Sequence, residues 1–288
     1  MKKVMLVLML VVMGSTVTAN GAAVLNDAVA WWRMDTANDS VGANSALTMA
    51  GSCTVGNYWE DLHLKGPGAN DYYGRFPSHI DGDYMNAGQG AGSELQILGA
   101  FTFYIRMEFK DTSITQYMFS KYDHAIGPDG TIKARTTYLR SVGASLEFIV
   151  DDGDGGAAAV TASVTGLQTQ GKWYDIAAVF DPDSDQIGLY VIEPSASSRA
   201  VLMSNTQTVT FNSVPMNLGP VPFTLGDRMH WDGSNYVPVG MSAMKSSVEM
   251  AAIWDQAFSV QDLQELAVPE PATVFLLGLG TILIRRRK

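Results

Sequence analysis

From Val24 to Leu266 no long stretch repeats its apolar residues with the 3.6-residue period of a helix, and this constrains the chain more than any other feature. Short apolar and β-branched runs recur instead, split by Gly, Asp, Asn and Pro. About a dozen such runs with turn residues between them predict an all-β sandwich. They fall at residues 28–34, 84–87, 101–109, 117–121, 136–141, 145–151, 158–164, 173–181, 186–192, 207–211, 223–226 and 247–254. In 101–109, Phe101, Phe103, Ile105, Met107 and Phe109 alternate with Thr102, Tyr104, Arg106 and Glu108. A period of two puts the first set toward a core and the second on a wetter face. Residues 173–180 are apolar on both faces, which predicts an inner strand between two layers.

The turns agree. Gly143-Ala144 divides two strand segments as a hairpin would. Asp181-Pro182-Asp183-Ser184-Asp185 divides two more: Pro182 pre-sets φ, and the aspartates bond back to the backbone. One short helix is predicted over 260–266, capped by Ser259, with Asp262 at its third position and Leu263 and Leu266 on one face.

Charge is concentrated unevenly. Of 288 residues, 19 are Lys or Arg and 29 are Asp or Glu, for a net charge of −10. Setting aside Lys2, Lys3, Arg285, Arg286, Arg287, Lys288 and Glu270 leaves 13 basic against 28 acidic residues. A body so acidic argues against nucleic acid as a partner, because phosphate contacts need surplus cations. Cys53 is alone, so no internal disulfide and no cysteine-rich zinc site can form, and it reads as a small buried hydrophobe. His63, His79, His124 and His230 are far apart in sequence.

The two ends read as addresses. Lys2-Lys3 precedes ten residues, Val4 to Met13, without a polar side chain. As a helix that run spans about 15 Å, half of a hydrocarbon core of roughly 30 Å. Small residues at Val17-Thr18-Ala19 and Gly21-Ala22-Ala23 follow, so residues 1–22 are read as a signal peptide cleaved between 19 and 23. A buried N-terminal helix is the alternative, and it explains neither the lysines nor the small residues. At the other end stand Pro269-Glu270-Pro271, the apolar stretch 272–284, and Arg285-Arg286-Arg287-Lys288. As a helix, 272–284 covers about 20 Å, short for a full span, and the basic cluster would stay cytoplasmic. Motif, apolar stretch and terminal cluster together resemble the PEP-CTERM sorting signal over residues 268–288. That resemblance implies a Gram-negative-type envelope, an exosortase-type partner, transient membrane contact through the tail, and removal of the tail near Pro269-Glu270-Pro271. A plain C-terminal anchor is the alternative; both export the body, residues 23–267, to the cell surface or extracellular matrix.

The body carries a second resemblance. The stretch Val29 to Asp35 (Val-Ala-Trp-Trp-Arg-Met-Asp) resembles the opening strand of LamG-like jelly-roll domains in the concanavalin A-like lectin/glucanase superfamily. Gly82-Asp83-Tyr84-Met85, residues 98–107, Ser120-Lys121, residues 171–181, Leu189-Tyr190-Val191 and residues 248–259 match further landmarks in order. The resemblance implies a two-sheet antiparallel jelly-roll sandwich with one short C-terminal helix. It also implies a possible structural calcium between the opening strand, the Gly-Asp-Tyr region and the closing strand, held here by Asp35, Asp81 or Asp83, and Glu249. Two departures stand out. Ile192-Glu193-Pro194 replaces an Asn-Gly turn, and the closing strand carries Glu249 without a second acid.

Hydrolysis by retention needs two carboxyl groups about 5–5.5 Å apart. The Glu-x-Asp-x-Glu strand of the glucanase relatives is absent, as are Gly-x-Ser-x-Gly and His-Glu-x-x-His. Asp181, Asp183 and Asp185 surround Pro182 and read as a solvated turn. Asp151-Asp152-Gly153-Asp154 offers three carboxylates but lacks the later Glu of an EF-hand loop, and reads as an acidic hairpin loop. Glycan binding needs flat rings beside hydrogen-bonding groups. Trp59, Tyr72, Trp231 and Tyr236, with Asp232 and Asn235, lie in Gly/Asn/Asp-rich sequence read as loops, and local loop packing is the alternative use of those rings. Trp31, Trp173 and Trp254 fall in strands and are read as core. Three functions stay open: a non-catalytic exported module binding glycans or matrix polymers, a structural envelope protein without a small ligand, and a polysaccharide hydrolase, which the missing carboxylate strand disfavours.

Overall fold

The structure, a computed structural model, describes residues 27–34, 48–50, 54–57, 72–76, 84–86, 95, 97, 99–122, 135–151, 160–168, 172–194, 200–211, 223–231, 234, 236–238 and 244–266. The signal-peptide and tail segments, Trp59, Asp232, Asn235, Cys53, Asp35, Asp81 and Asp83 lie outside the described residues.

The strands are β1 Ala30–Trp32, β2 Thr48–Ala50, β3 Thr54–Asn57, β4 Tyr72–Phe76, β5 Tyr84–Asn86, β6 Phe101–Phe109, β7 Thr115–Tyr122, β8 Arg135–Val142 and β9 Ser145–Val150. They continue as β10 Val160–Thr165, β11 Trp173–Asp181, β12 Gln186–Ile192, β13 Val201–Thr208, β14 Thr224–Leu225, β15 Met229–Trp231, β16 Tyr236–Pro238 and β17 Ser246–Trp254, followed by helix α1, Val260–Leu266. Two antiparallel sheets face each other. The first runs β13-β12-β11-β6-β17-β4-β3, with β1 also on β17. The second runs β10-β9-β8-β7-β14-β5-β2, and β15-β16 form a separate hairpin. Neither sheet closes into a barrel. This is the jelly-roll sandwich that the sequence implies.

The core between the sheets takes the inward half of each strand. Phe101, Phe103, Ile105, Met107 and Phe109 of β6 all enter it. Phe103 meets Phe119 of the second sheet at 4.0 Å between ring centres, and Phe223 stacks on Phe119 at 5.8 Å. Rings that span the gap join the two layers and bury far more area than aliphatic chains would.

The other half of β6 corrects the sequence reading: all nine of its residues are buried, so its second face is not wet. Helix α1 lies over that face. Tyr104, Ala177, Val179, Ala252 and Trp254 pack there with Phe258, Leu263 and Leu266 in a second core. Thr102 ties the cover down, donating to the Gln256 carbonyl at 2.8 Å and accepting from the Phe258 N–H at 2.9 Å. The helix begins as predicted: Ser259 N–H donates to Asp262 Oδ2 at 2.8 Å, and Asp262 N–H returns to Ser259 Oγ at 3.3 Å.

Both sequence-read turns stand. Val142 pairs with Ser145 across Gly143-Ala144, and Gly143 takes φ 60°, where a side chain would be strained. Asp181 Oδ1 accepts from the N–H groups of Asp183 and Ser184 at 3.2 and 3.3 Å. One strand is displaced: the expected 207–211 segment is replaced by β13, Val201–Thr208. This strand sits at the sheet edge and stays largely exposed, so it carries little apolar alternation to read.

Candidate functional site

The two outer faces of the sandwich differ, and the difference locates the site. The outer face of the first sheet is closed by α1 and by ion pairs. The outer face of the second sheet is polar, buried around Tyr117, Ser120, Tyr138 and Ile149 and exposed along β10. On it, β10 shows Thr161, Ser163 and Thr165 to solvent while Ala162 and Val164 point into the core. Cross-strand register carries this pattern over the sheet. One row runs Tyr117, Arg140, Glu147, Ser163; the next runs Ser120, Tyr138, Ile149, Thr161. Directly opposed residues share a face, so each row is a line of neighbouring side chains.

At the centre sit two tyrosines and two arginines. Tyr117 and Tyr138 have ring centres 5.4 Å apart and, with Ile149, form a small cluster separate from the main core. Arg140 Nε donates to Glu147 Oε2 at 2.8 Å, and its Nη1 donates to the Tyr117 hydroxyl at 3.3 Å. Arg228 Nη1 donates to the same hydroxyl at 3.2 Å, with its guanidinium 5.1 Å from the Tyr117 ring centre. Arg228 arrives there because β14 pairs with β7 and the chain then turns at Gly226, φ 100°. The turn is pinned by Thr224 Oγ1 donating to the Asp227 carbonyl at 2.7 Å and by Ser120 Oγ at 2.9 Å from Thr224 Oγ1.

Arg228 leads directly into the hairpin. Trp231 of β15 and Tyr236 of β16 are register partners in it. The sequence reading placed both in a loop; they stand in paired strands. Tyr72 is also in a strand: it belongs to β4 of the first sheet, paired with Asn57, and so to a different sheet from the hairpin. The residues that sequence reasoning missed are Tyr117, Tyr138, Arg140, Glu147 and Arg228. The alternation of Tyr138 and Arg140 around Leu139 carries a local signal of a second face. Nothing local links Arg140 to Arg228.

Glu249 lies elsewhere, on the closed side. In β17 the register shifts between Val248 and Met250, so Glu249 is the extra residue of a bulge. Its Oε1 is 3.8 Å from Arg106 Nη1, and Oε2 is buried without a hydrogen bond. Arg106 is itself fixed to Asp175, Nε to Oδ1 at 2.6 Å and Nη2 to Oδ2 at 2.9 Å. Of the expected calcium ligands, Glu249 alone is described. The Arg106 guanidinium stands beside it. Among the described residues no group of three or more His, Cys, Asp or Glu could hold a metal ion.

Burial pushes the Glu249 carboxyl up to about 7, partly opposed by Arg106. A general acid would show such a value, yet Glu249 is buried and the neighbouring Asp175 has both oxygens on Arg106. They do not form the pair that glycoside hydrolysis needs. The shift has a thermodynamic consequence. The folded chain holds this proton up to about pH 7, whereas the unfolded chain releases it near 4.5. Folded protein therefore binds more protons in that window, and stability falls as pH rises through it. Glu249→Gln should be more stable than the unsubstituted chain at pH 8 by on the order of 2 kcal/mol, with the gap closing near pH 4. Urea titrations at both pH values measure it; an equal difference at both would refute the assignment.

The fold defines a class first. The chain is similar to a structure of botulinum neurotoxin type C, whose cell entry is dependent upon interaction with two ganglioside molecules (TM-score 0.52, 9% identity, 85% of this chain and 52% of that one). It is also similar to the serotype G binding domain (0.51, 9%, 83% and 50%) and to the DC binding domain in complex with rat synaptotagmin II (0.50, 7%, 84% and 52%). At these identities the likeness shows the fold alone, and this chain spans about half the length of each neighbour. No curated protein matches it in sequence. The particular feature is at the C-terminus: residues 267–288 match the PEP-CTERM protein-sorting motif. The chain is a jelly-roll β-sandwich that carries this motif, and the motif marks it as exported.

Proposed function

We propose that this protein is an exported, non-catalytic module that binds a glycan or matrix polymer beside the β15-β16 hairpin, and that exosortase-type machinery processes its tail at the cell surface. The observation that carries the reading is the pairing of Trp231 with Tyr236 in the hairpin that Arg228 leads into. Flat rings in polar sequence suit sugar rings with their hydroxyls. The fold likeness to binding domains supports the same direction without naming a ligand, because half of each neighbour lies outside the match.

The test is a glycan array probed with the full chain, with and without a chelator. The chelator arm reports on calcium held by Asp35, Asp81 or Asp83, and Glu249. Trp231→Ala should weaken binding by about 2 kcal/mol or more, as a central aromatic anchor does, while the melting temperature stays unchanged. Absence of binding to any glycan would favour a purely structural envelope role. A fall in melting temperature as large as that of a core substitution would place Trp231 in the core instead.

A further inference from the structure

We infer that this chain pairs with a second copy of itself through strand β13, edge to edge about a two-fold axis. β13 ends the first sheet: β12 bonds to one side of it, and among the described residues no strand lies on the other. An edge strand turns unpaired N–H and C=O groups outward, and folds guard such edges by keeping them short or by placing charge, Pro or a bulge there. The far edges follow that rule, since β3 has four residues and β2 three. β13 does not. It runs for eight residues, Val-Leu-Met-Ser-Asn-Thr-Gln-Thr, without a charge or a proline. Its one bulge, at Leu202, comes at the start and leaves Met203 to Thr208 in regular register. Leu202, Ser204, Thr206, Gln207 and Thr208 are exposed, so the strand reaches solvent on both faces.

Charge selects the occupant. The body between the two ends holds 13 basic against 28 acidic residues, so two copies repel over most of their surfaces. One side of the sandwich escapes this. The edges of the two sheets, β13 and β10, approach each other there, and residues 200–211 and 160–168 contain no Asp, Glu, Lys or Arg. Two copies that meet on this side bring no like charges into contact. Symmetry fits as well. About a two-fold axis normal to the sheet, the strand meets itself antiparallel and each face stays on its own side. Opposed residues share a face, so even-numbered positions must oppose even-numbered ones and odd oppose odd. Centred on Asn205, the register sets Ser204 opposite Thr206 of the second copy, hydroxyl against hydroxyl, a favourable cross-strand pair. Asn205 then opposes Asn205 of the second copy. Within the chain Gln207 Nε2 already donates to Asn205 Oδ1 at 2.8 Å, so the row of side-chain amides continues across the axis. Such pairing satisfies the outward backbone groups and uses up the edge, so assembly stops at two copies.

The experiment is sedimentation velocity on the full chain over a range of concentrations, in mild detergent to solvate its apolar tail. The expected result is a reversible monomer–dimer equilibrium that tightens as salt is added, because screening removes repulsion between the acidic bodies. Ser204→Lys and Thr206→Lys should each weaken the dimer by about ten-fold or more and leave the melting temperature unchanged, since both side chains are exposed. A lysine lowers the net negative charge and by itself favours association, so this loss can come only from blocking the edge. Val142→Lys, exposed at the end of β8, is the control and should not weaken the dimer. A chain that stays monomeric at every concentration overturns the inference. A dimer left unchanged by folded Ser204→Lys and Thr206→Lys overturns it too, and moves the contact to the tail or another surface. Equal weakening by Val142→Lys, or growth beyond two copies, does the same. If neither edge variant folds, the salt series decides: tightening supports the inference, and loosening or no change ends it.

Discussion

Asp175→Ala is expected to destabilise the fold by about 3–5 kcal/mol, the cost of breaking a buried ion pair from one side. Asp175 is fully buried in β11, directly opposite Arg106 of β6 in the sheet register. Both of its oxygens take bonds from the guanidinium. Without it, Arg106 stays buried with a 3.4 Å bond to the Tyr104 hydroxyl and a longer approach to Glu249. Neither replaces a bidentate carboxylate, and burial also keeps Glu249 largely protonated below neutral pH. The expected loss should appear as a lower urea midpoint with an unchanged slope. A double replacement, Arg106→Met with Asp175→Leu, should recover most of it, because well-packed apolar groups can stand in for a buried pair. A loss under about 1 kcal/mol in the single variant would contradict this account of the closed face.

Trp254→Ala is expected to cost about as much, roughly 3–5 kcal/mol, for a different reason. The side chain is completely buried on the outer face of β17, with its ring 4.8 Å from that of Phe258. It is the fully buried tryptophan of the cluster under α1, where Leu263 and Leu266 also come down. Removing it leaves a cavity between sheet and helix that a seven-residue helix cannot fill by collapse. The variant should keep its strand signal in far-UV dichroism and unfold at lower urea. Restoring volume with Trp254→Phe should return part of the loss. If Trp254→Ala is neutral, the cover over the first sheet does not contribute to stability as described.

Much of the architecture is legible in the sequence. Phe101–Phe109, Trp173–Asp181 and Gln186–Ile192 stand at the predicted bounds, and so does the helix behind Ser259. Their alternation and turn residues are local properties, which short windows reveal. The short strands β2, β3, β4, β15 and β16 were not legible. They span three to five residues, and neighbours such as β17 and β5, far away in the chain, give them their form. The site followed the same division. Trp231 and Tyr236 could be singled out as rings among polar residues, but their pairing in one hairpin could not. Tyr117, Tyr138, Arg140 and Arg228 gave almost no local signal, since the Tyr117 hydroxyl gathers donors from separate segments.

The sequence by itself determined the all-β class, the inward half of each long strand and the sorting motif at residues 267–288, because each depends on residues that are neighbours in the chain. Only the tertiary structure decided which outer face is covered. Alternation says that a strand has two faces. It cannot say that α1 will lie on one of them and bury Arg106 against Asp175. Nor can it say that two arginines will gather around Tyr117 on the other. Coverage and ion pairing arise from strand order, which hydrogen bonds between distant segments set, and that information is not written at any single position.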